Sequence, residues 1–303
     1  MKKILLSCCL SISLLSGSAF CAEKNAEKPL DVASIATSSK QDSSLSQAWK
    51  SLNPKQLHLE SGTALVVDRF GNEVYSKNAD EQRPPASITK VMTAMVLLDA
   101  QLPMQELISI SKEDRDPWKM TGSRLAFGAT LTREQLLLLA LMSSENRAAS
   151  ALARTYPGGK TAFVRAMNQK AKALGMTRTH FMDPAGLRPD NLTTARDLVR
   201  MVRAAKRYAS IRKATTTQSA LVHPFKRGGT IQYNNTNRLV KNNDWDIQLS
   251  KTGYISEAGH CLVMQTDITH ESLTLVLLNS QGKLSPQGDS ARIRKWIEGG
   301  IDG

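Results

Sequence analysis

Where the strand-like segments fall constrains this chain more than any other feature. β-prone runs stand near one end, at Thr63–Val67 and around Val74-Tyr75, with Phe70-Gly71-Asn72 able to turn between them. Three more stand near the other end, at Ile247–Gly253, Cys261–Thr266 and Leu273–Leu278. Most of the chain between has helical spacing. From Ser87 the apolar residues Ile88, Val91, Met92, Met95 and Leu98 follow a 3.6-residue period. Thr132-Arg133-Glu134-Gln135 reads as a capping box opening a helix to about Met142. Further helices are expected at 160–174 and 193–208, the latter capped by Thr193 or Thr194, and a closing helix at 288–298. Leu107–Ile110 suits a short strand. This order predicts an α+β fold: an antiparallel sheet of about five strands built from both ends of the chain, flanked by helices, with an all-helical insert.

The N-terminus reads as an export signal over residues 1–22. Lys2 and Lys3 precede an apolar run from Ile4 to Leu15 and then small residues, with cleavage expected between Ala19 and Ala22. That run is too short to span a bilayer, which takes roughly 20 apolar residues, so no integral membrane segment is expected once the signal is removed. Residues 23–57, rich in Ser, Ala, Lys and Gln, read as a flexible linker. Residues 58–303 are expected to form one folded domain, the part that carries the function. Location outside the cytoplasm agrees with cysteine usage: Cys8, Cys9 and Cys21 lie in or beside the signal, which leaves Cys261 alone among apolar neighbours as a core residue.

The formal charge of +13 favours anionic partners. Aromatics make up only 5 % and do not interleave with a basic stripe, which argues against nucleic acid. Five scattered histidines without metal-ligand spacing predict no metal, and nothing calls for a cofactor.

Three short patterns occur in order: Ser87-Ile88-Thr89-Lys90, Ser144-Glu145-Asn146 and Lys251-Thr252-Gly253. The set S-x-x-K, S-D-N and K-T-G marks class A β-lactamases and penicillin-binding proteins. Singly the patterns are weak, since S-x-x-K recurs at Ser109, Ser210 and Ser280. Context separates them: only Ser87 follows a turn (Pro84-Pro85) and opens an amphipathic helix, only Ser144–Asn146 falls between two helices, and Lys251–Gly253 ends a strand. Lys90, three residues on, shares a helix face with Ser87. Burial, the helix N-terminus and a second lysine would lower its pKa, so that a neutral amine could take the proton of a serine nucleophile. On this reading Ser144 and Lys251 relay a proton to the leaving amine and Asn146 holds the substrate amide. Thr252, Gly253 and Tyr254 line the substrate, and the backbone N–H groups of Ser87 and Tyr254 form an oxyanion hole. Glu145 is expected to be solvated or structural, and Asp183 and Gly186 to be loop residues.

Longer runs carry a resemblance. Leu137–Ala149, Tyr156–Gly159, Phe181–Leu187, Asn235–Asn237 and Ala258–Met264 together with the motifs resemble the low-molecular-mass penicillin-binding proteins, in particular their D-alanyl-D-alanine endopeptidase branch, from about Ser61 to Trp296. The resemblance implies a β-lactamase/D,D-peptidase-like fold and an acyl-enzyme on Ser87. It also implies peptidoglycan stem peptides cross-linked through D-alanine as substrate, and β-lactams as covalent inhibitors. No glutamate lies between Asn146 and Lys251, where class A β-lactamases place their deacylating residue, so efficient penicillin hydrolysis is not expected. Only 50 residues follow Gly253, too few for the β-rich domain and amphipathic anchor of exported D,D-carboxypeptidases. Family analogy therefore favours an endopeptidase in the periplasm, loosely associated with the wall. The alternatives are a D,D-carboxypeptidase, a β-lactamase and a non-catalytic wall-binding or β-lactam-sensing module.

Overall fold

The computed structural model describes residue 49 and residues 51–225, 227–242 and 244–301; the expected signal segment and most of the expected linker lie outside them. Strands β1 (Thr63–Val67) and β2 (Glu73–Lys77) form the first hairpin. A 3-10 turn (Ala86–Ile88) runs directly into helix α1 (Thr89–Asp99). Then come β3 (Leu107–Ser109), β4 (Thr130–Thr132), α2 (Arg133–Met142), α3 (Asn146–Arg154), α4 (Gly159–Ala173), α5 (Ala195–Ala205) and α6 (Ala209–Thr216). The hairpin β5 (Ser219–Val222) and β6 (Ile231–Asn234) leads to β7 (Asp246–Ile255), β8 (Gly259–Ile268), β9 (Glu271–Ser280) and the closing helix α7 (Ser285–Ile301).

The main sheet has the order β2-β1-β9-β8-β7 and is antiparallel throughout, with β1 from the first hairpin pairing β9 from the last. It is buried on both faces, which is why β1 reads as an unbroken apolar run rather than an alternating one. Alternation survives inside the fold. Leu65 and Val67 point into the core shared with α1 to α5, whereas Ala64 and Val66 point into a second core with Ile293 and Ile297 of α7. Val263 and Val276 join the first group, and Leu262 and Leu275 the second.

The capping box at α2 is made in full: Thr132 Oγ1 accepts from Gln135 N at 3.1 Å, and Gln135 Oε1 accepts from Thr132 N at 3.0 Å. Three expectations need correcting. The strands of the C-terminal meander extend to ten residues each, because Gln265, Thr266 and Thr274 pair within the sheet although they are polar. The helix expected at 193–208 is α5 and ends at Ala205; α6, which was not expected, starts just past buried Tyr208. Residues 51–57, read as linker, instead form a 3-10 turn (Pro54–Gln56) whose flanking Leu52 and Leu57, with Trp49, cover α7; Trp296 Nε1 donates to Asn53 O at 3.1 Å. Apolar residues so sparse carry no period, which hid this cover from the pattern.

Candidate active site

Helix α1 was expected to begin at Ser87. The structure places Ser87 two residues before the helix, within the 3-10 turn, with Ala86 at a left-handed φ of 48°. Two glycines make this turn possible. Gly186 (φ 77°) lies so near that a Cβ on it would overlap the Ala86 carbonyl oxygen, at 1.9 Å. A Cβ on Gly253 of β7 would lie 2.9 Å from Pro85 O and 3.0 Å from Ser87 N. Glycine in the K-T-G triplet therefore lets the edge strand approach the Ser87 backbone directly.

Lys90 is fully buried, and its ammonium meets three neutral acceptors: Ser87 Oγ at 2.8 Å, Asn146 Oδ1 at 2.7 Å and the Ala185 carbonyl at 2.7 Å. Burial without a directly bonded anion lowers its pKa to about 7, against the opposing pull of Asp183, Glu145 and Asp116. Lys251, 1 % exposed, is pushed well below the usual lysine range by burial and then by the charge of Lys90. A buried amine with a pKa near 7 can be neutral near neutral pH, as a general base must be.

Ser144 stands at the corner between α2 and α3 with φ 62°. The corner is held by Glu145, which is buried rather than solvated: its carboxylate caps α3 by accepting from Arg147 N at 3.3 Å and takes the Ser123 hydroxyl at 2.6 Å. Ser144 Oγ has no hydrogen-bond partner among the described residues. The direct link expected between Ser144 and Lys251 is not made; Lys251 Nζ donates to Thr252 O at 2.8 Å. Asn146 is already engaged on both sides, accepting from Lys90 and donating to Thr121 Oγ1 at 2.9 Å, with one amide N–H left over. Thr252 Oγ1 donates to Thr236 Oγ1 at 2.6 Å.

Ser87, Ser144, Asn146, Thr252, Gly253 and Tyr254 line one cleft of about 520 Å³, with Lys90 and Lys251 just beneath its wall. Tyr254 is 58 % exposed at the rim and stacks on His260 with ring centroids 4.2 Å apart. Among the described residues no acidic side chain lines this cleft, whereas Arg238 and Lys283 do. Cys261 also reaches its wall, but burial pushes the thiol up to about 12, which leaves it inert.

Two acids shape the site without entering the cleft: Asp183, expected only as a loop residue, and Asp116, which no motif singled out. Asp183 gathers the N–H groups of Ala185 and Gly186 at 2.7 Å and of Arg188 at 2.9 Å, and so aims the Ala185 carbonyl at Lys90. Asp116 does the same for Thr121, accepting from its N–H at 3.0 Å and its hydroxyl at 2.9 Å. Burial alone would raise the Asp116 pKa, but these bonds and those from Lys119 and Trp118 hold it below the usual range. Only an Asx-turn spelling, common to many loops, marks either residue. Among the described residues no group of His, Cys, Asp and Glu could hold a metal.

A two-ended sheet, a helical insert and a serine hydroxyl on a buried lysine at their junction define a serine peptidase. The chain belongs to the D-alanyl-D-alanine carboxypeptidase family of peptidases, which residues 50–282 match. It is 47 % identical to a D-alanyl-D-alanine endopeptidase of Pseudomonas aeruginosa over 82 % of this chain and 80 % of that one. It is 46 % identical to a D-alanyl-D-alanine endopeptidase of Escherichia coli over 81 % and 79 %. Among solved structures it superposes on a Streptomyces DD-transpeptidase with a TM-score of 0.74 at 26 % identity, covering 80 % of this chain and 98 % of that one. A Listeria monocytogenes penicillin-binding protein in its cefotaxime-bound form gives 0.70 at 25 % identity, with the same coverage.

Proposed function

We propose that the chain is a serine D,D-endopeptidase that hydrolyses the amide between D-alanine and a diamino acid in peptidoglycan cross-links. The observation that carries this reading is the contact between Ser87 Oγ and a buried Lys90 whose remaining partners are neutral oxygens. With two N–H groups on Asn146 Oδ1 and Ala185 O, a neutral Lys90 turns its lone pair to Ser87, whose hydroxyl then becomes the donor. Ser87 Oγ attacks the D-alanyl carbonyl carbon and passes its proton to Lys90. The carbonyl oxygen gains negative charge and faces the N–H groups of Ser87 and Tyr254. The C–N bond breaks as the amine takes the proton held by Lys90, passed on through the Ser144 hydroxyl, with Lys251 supplying positive charge beside it, which leaves Lys90 neutral again. Water then attacks the ester, giving up a proton to Lys90 as Ser87 regains its own, and the carboxylic product leaves.

The substrate class is supported by the family and by a cleft whose charged side chains are cationic, suited to peptide ends that carry carboxylates. Endopeptidase rather than carboxypeptidase specificity is supported by the relatives at 46–47 % identity, which bear that name; a Bacillus subtilis carboxypeptidase is 29 % identical. Lys2, Lys3 and the apolar run after them favour export to the periplasm, and no helix among the described residues is long and apolar enough to cross a membrane. β-Lactams would acylate Ser87 as substrate mimics. Purified muropeptides test the reading. A cross-linked dimer is expected to be split into monomers, and Ser87→Ala to abolish the reaction. Release of D-alanine from uncross-linked pentapeptides with intact dimers would make it a carboxypeptidase instead.

A further inference from the structure

The positive charge of this chain is concentrated in one stretch. Residues 159–216, which span α4 to α6, hold thirteen Lys and Arg against three Asp, a net +10 within a whole-chain total of +13. None of the three acids neutralises the surface broadly. Asp183 is held by loop amides, Asp197 is 2 % exposed beneath α5, and Asp190 pairs locally with Arg188 at 2.8 Å.

Helix α5 shows the consequence most sharply. Its only outward positions are 196, 200 and 203, and all three are arginine, while the other eight residues of the helix are buried. Arg196 is paired with Asp80 at 2.8 Å and with Glu73, and Arg200 with Asp197 at 2.6 Å. Arg203, Arg207, Lys172 and Arg178 have no acidic partner among the described residues, and all four are exposed. They form one surface: the Arg200 side chain reaches within 4.0 Å of where a Cβ on Gly175 would stand, just past α4, and Arg178 N donates to Asp197 at 2.9 Å. Arg203 extends the surface to the β1–β2 turn, its guanidinium lying over Gly71. This surface adjoins β2, whereas the cleft lies at β7, the other edge of the five-stranded sheet. Four strand spacings separate the edges, about 19 Å. A partner held by the arginines would leave the cleft open.

We propose that this face docks the enzyme on the peptidoglycan mesh through the mesh's own carboxylates, apart from the stem peptide being cut. The proposal rests on the function given above, which makes an insoluble polyanion the substrate. Guanidinium groups suit carboxylates because their fork of donors matches both oxygens. Helices α4 and α5 expose no large apolar side chain, unlike a helix that lies in a lipid interface, which presents Trp, Phe or Leu. Phe70, a large apolar side chain at the rim, lies under the Arg69 guanidinium at 4.8 Å.

The test is co-sedimentation with purified sacculi, using Ser87→Ala so that the mesh is neither cut nor held covalently on Ser87. Adding Lys172→Glu, Arg203→Glu and Arg207→Glu is expected to weaken binding at least about tenfold at low salt, as reversal of three surface charges should. Raising ionic strength from about 0.05 M to about 0.5 M should release the parent chain and leave the triple variant little changed. The same triple change with Ser87 intact should split soluble cross-linked dimer at the parental rate, which keeps this result separate from that of the function itself. A control reversing Lys55 and Lys112, on other faces, should bind like the parent. Equal loss in control and triple variant would reduce the effect to net charge and overturn the proposal. So would unchanged binding by the triple variant, or binding to anionic lipid vesicles without binding to sacculi. Should the triple variant not fold, the neutral set Lys172→Gln, Arg203→Gln and Arg207→Gln reads the same outcome with a smaller shift.

Discussion

On the proposed mechanism, Lys90 is where catalysis and stability pull against each other. Burial lowers its pKa to about 7, so folding deprotonates a group that the unfolded chain keeps charged up to its ordinary value of 10.5. Between those limits the unfolded state binds more protons, and stability rises with pH across that window; below about 7 both states are charged and the full burial penalty remains. On the proposed mechanism the same titration governs the base. Acylation of Ser87 by a β-lactam is expected to rise with pH through about 7, followed as the rate of adduct formation. Lys90→Met should slow acylation by about 10²–10⁴-fold, the range for a lost general base, while raising Tm by removing a buried amine. A variant that acylates normally, or melts earlier, would contradict this account. Much of this was legible, because a spacing of three on a helix brings the two side chains together whatever surrounds them. The neutral character of the remaining partners was not, since the Ala185 carbonyl reaches Lys90 through a loop fold organised by Asp183.

Among the elements, β7 is the one on which the cleft depends. Its Gly253 approaches Ser87 N because it has no side chain. Gly253→Ala would place a methyl 2.9 Å from Pro85 O and 3.0 Å from Ser87 N, against backbone that cannot step aside without moving the turn. Acylation is expected to fall about 10²–10³-fold, as when one oxyanion donor is displaced, with the circular dichroism spectrum unchanged. Retained activity would show that the strand does not supply that donor. Strand ends, loops and short hairpins were the poorly legible part at this scale. β5 and β6 are four residues each and only partly buried, so they lack an alternating pattern, and Thr121 joins the site only because the loop around Asp116 folds over it.

Taken as a whole, the molecule is closed by its two ends. β1 pairs β9, and α7 lies over the far side of the sheet beneath Trp49, Leu52 and Leu57. The sheet from both termini was readable because strand-like runs cluster at the ends; the N-terminal cover was not, because it is three apolar residues in a polar stretch. Leu57→Ala is expected to cost about 2–3 kcal/mol, read as a lower midpoint in urea with the muropeptide reaction intact under native conditions. No change in midpoint would show that the cover contributes little. The gathering of Ser87, Lys90, Ser144 and Lys251 is the molecule-wide claim, since it joins a turn after the first hairpin, a corner of the helical insert and the last edge strand. Mass spectrometry of the protein digested after penicillin treatment tests it most directly. The account predicts one penicilloyl group on the peptide that contains Ser87, slow to hydrolyse and absent from Lys90→Met on the same timescale. An adduct on another serine, or none, would contradict it.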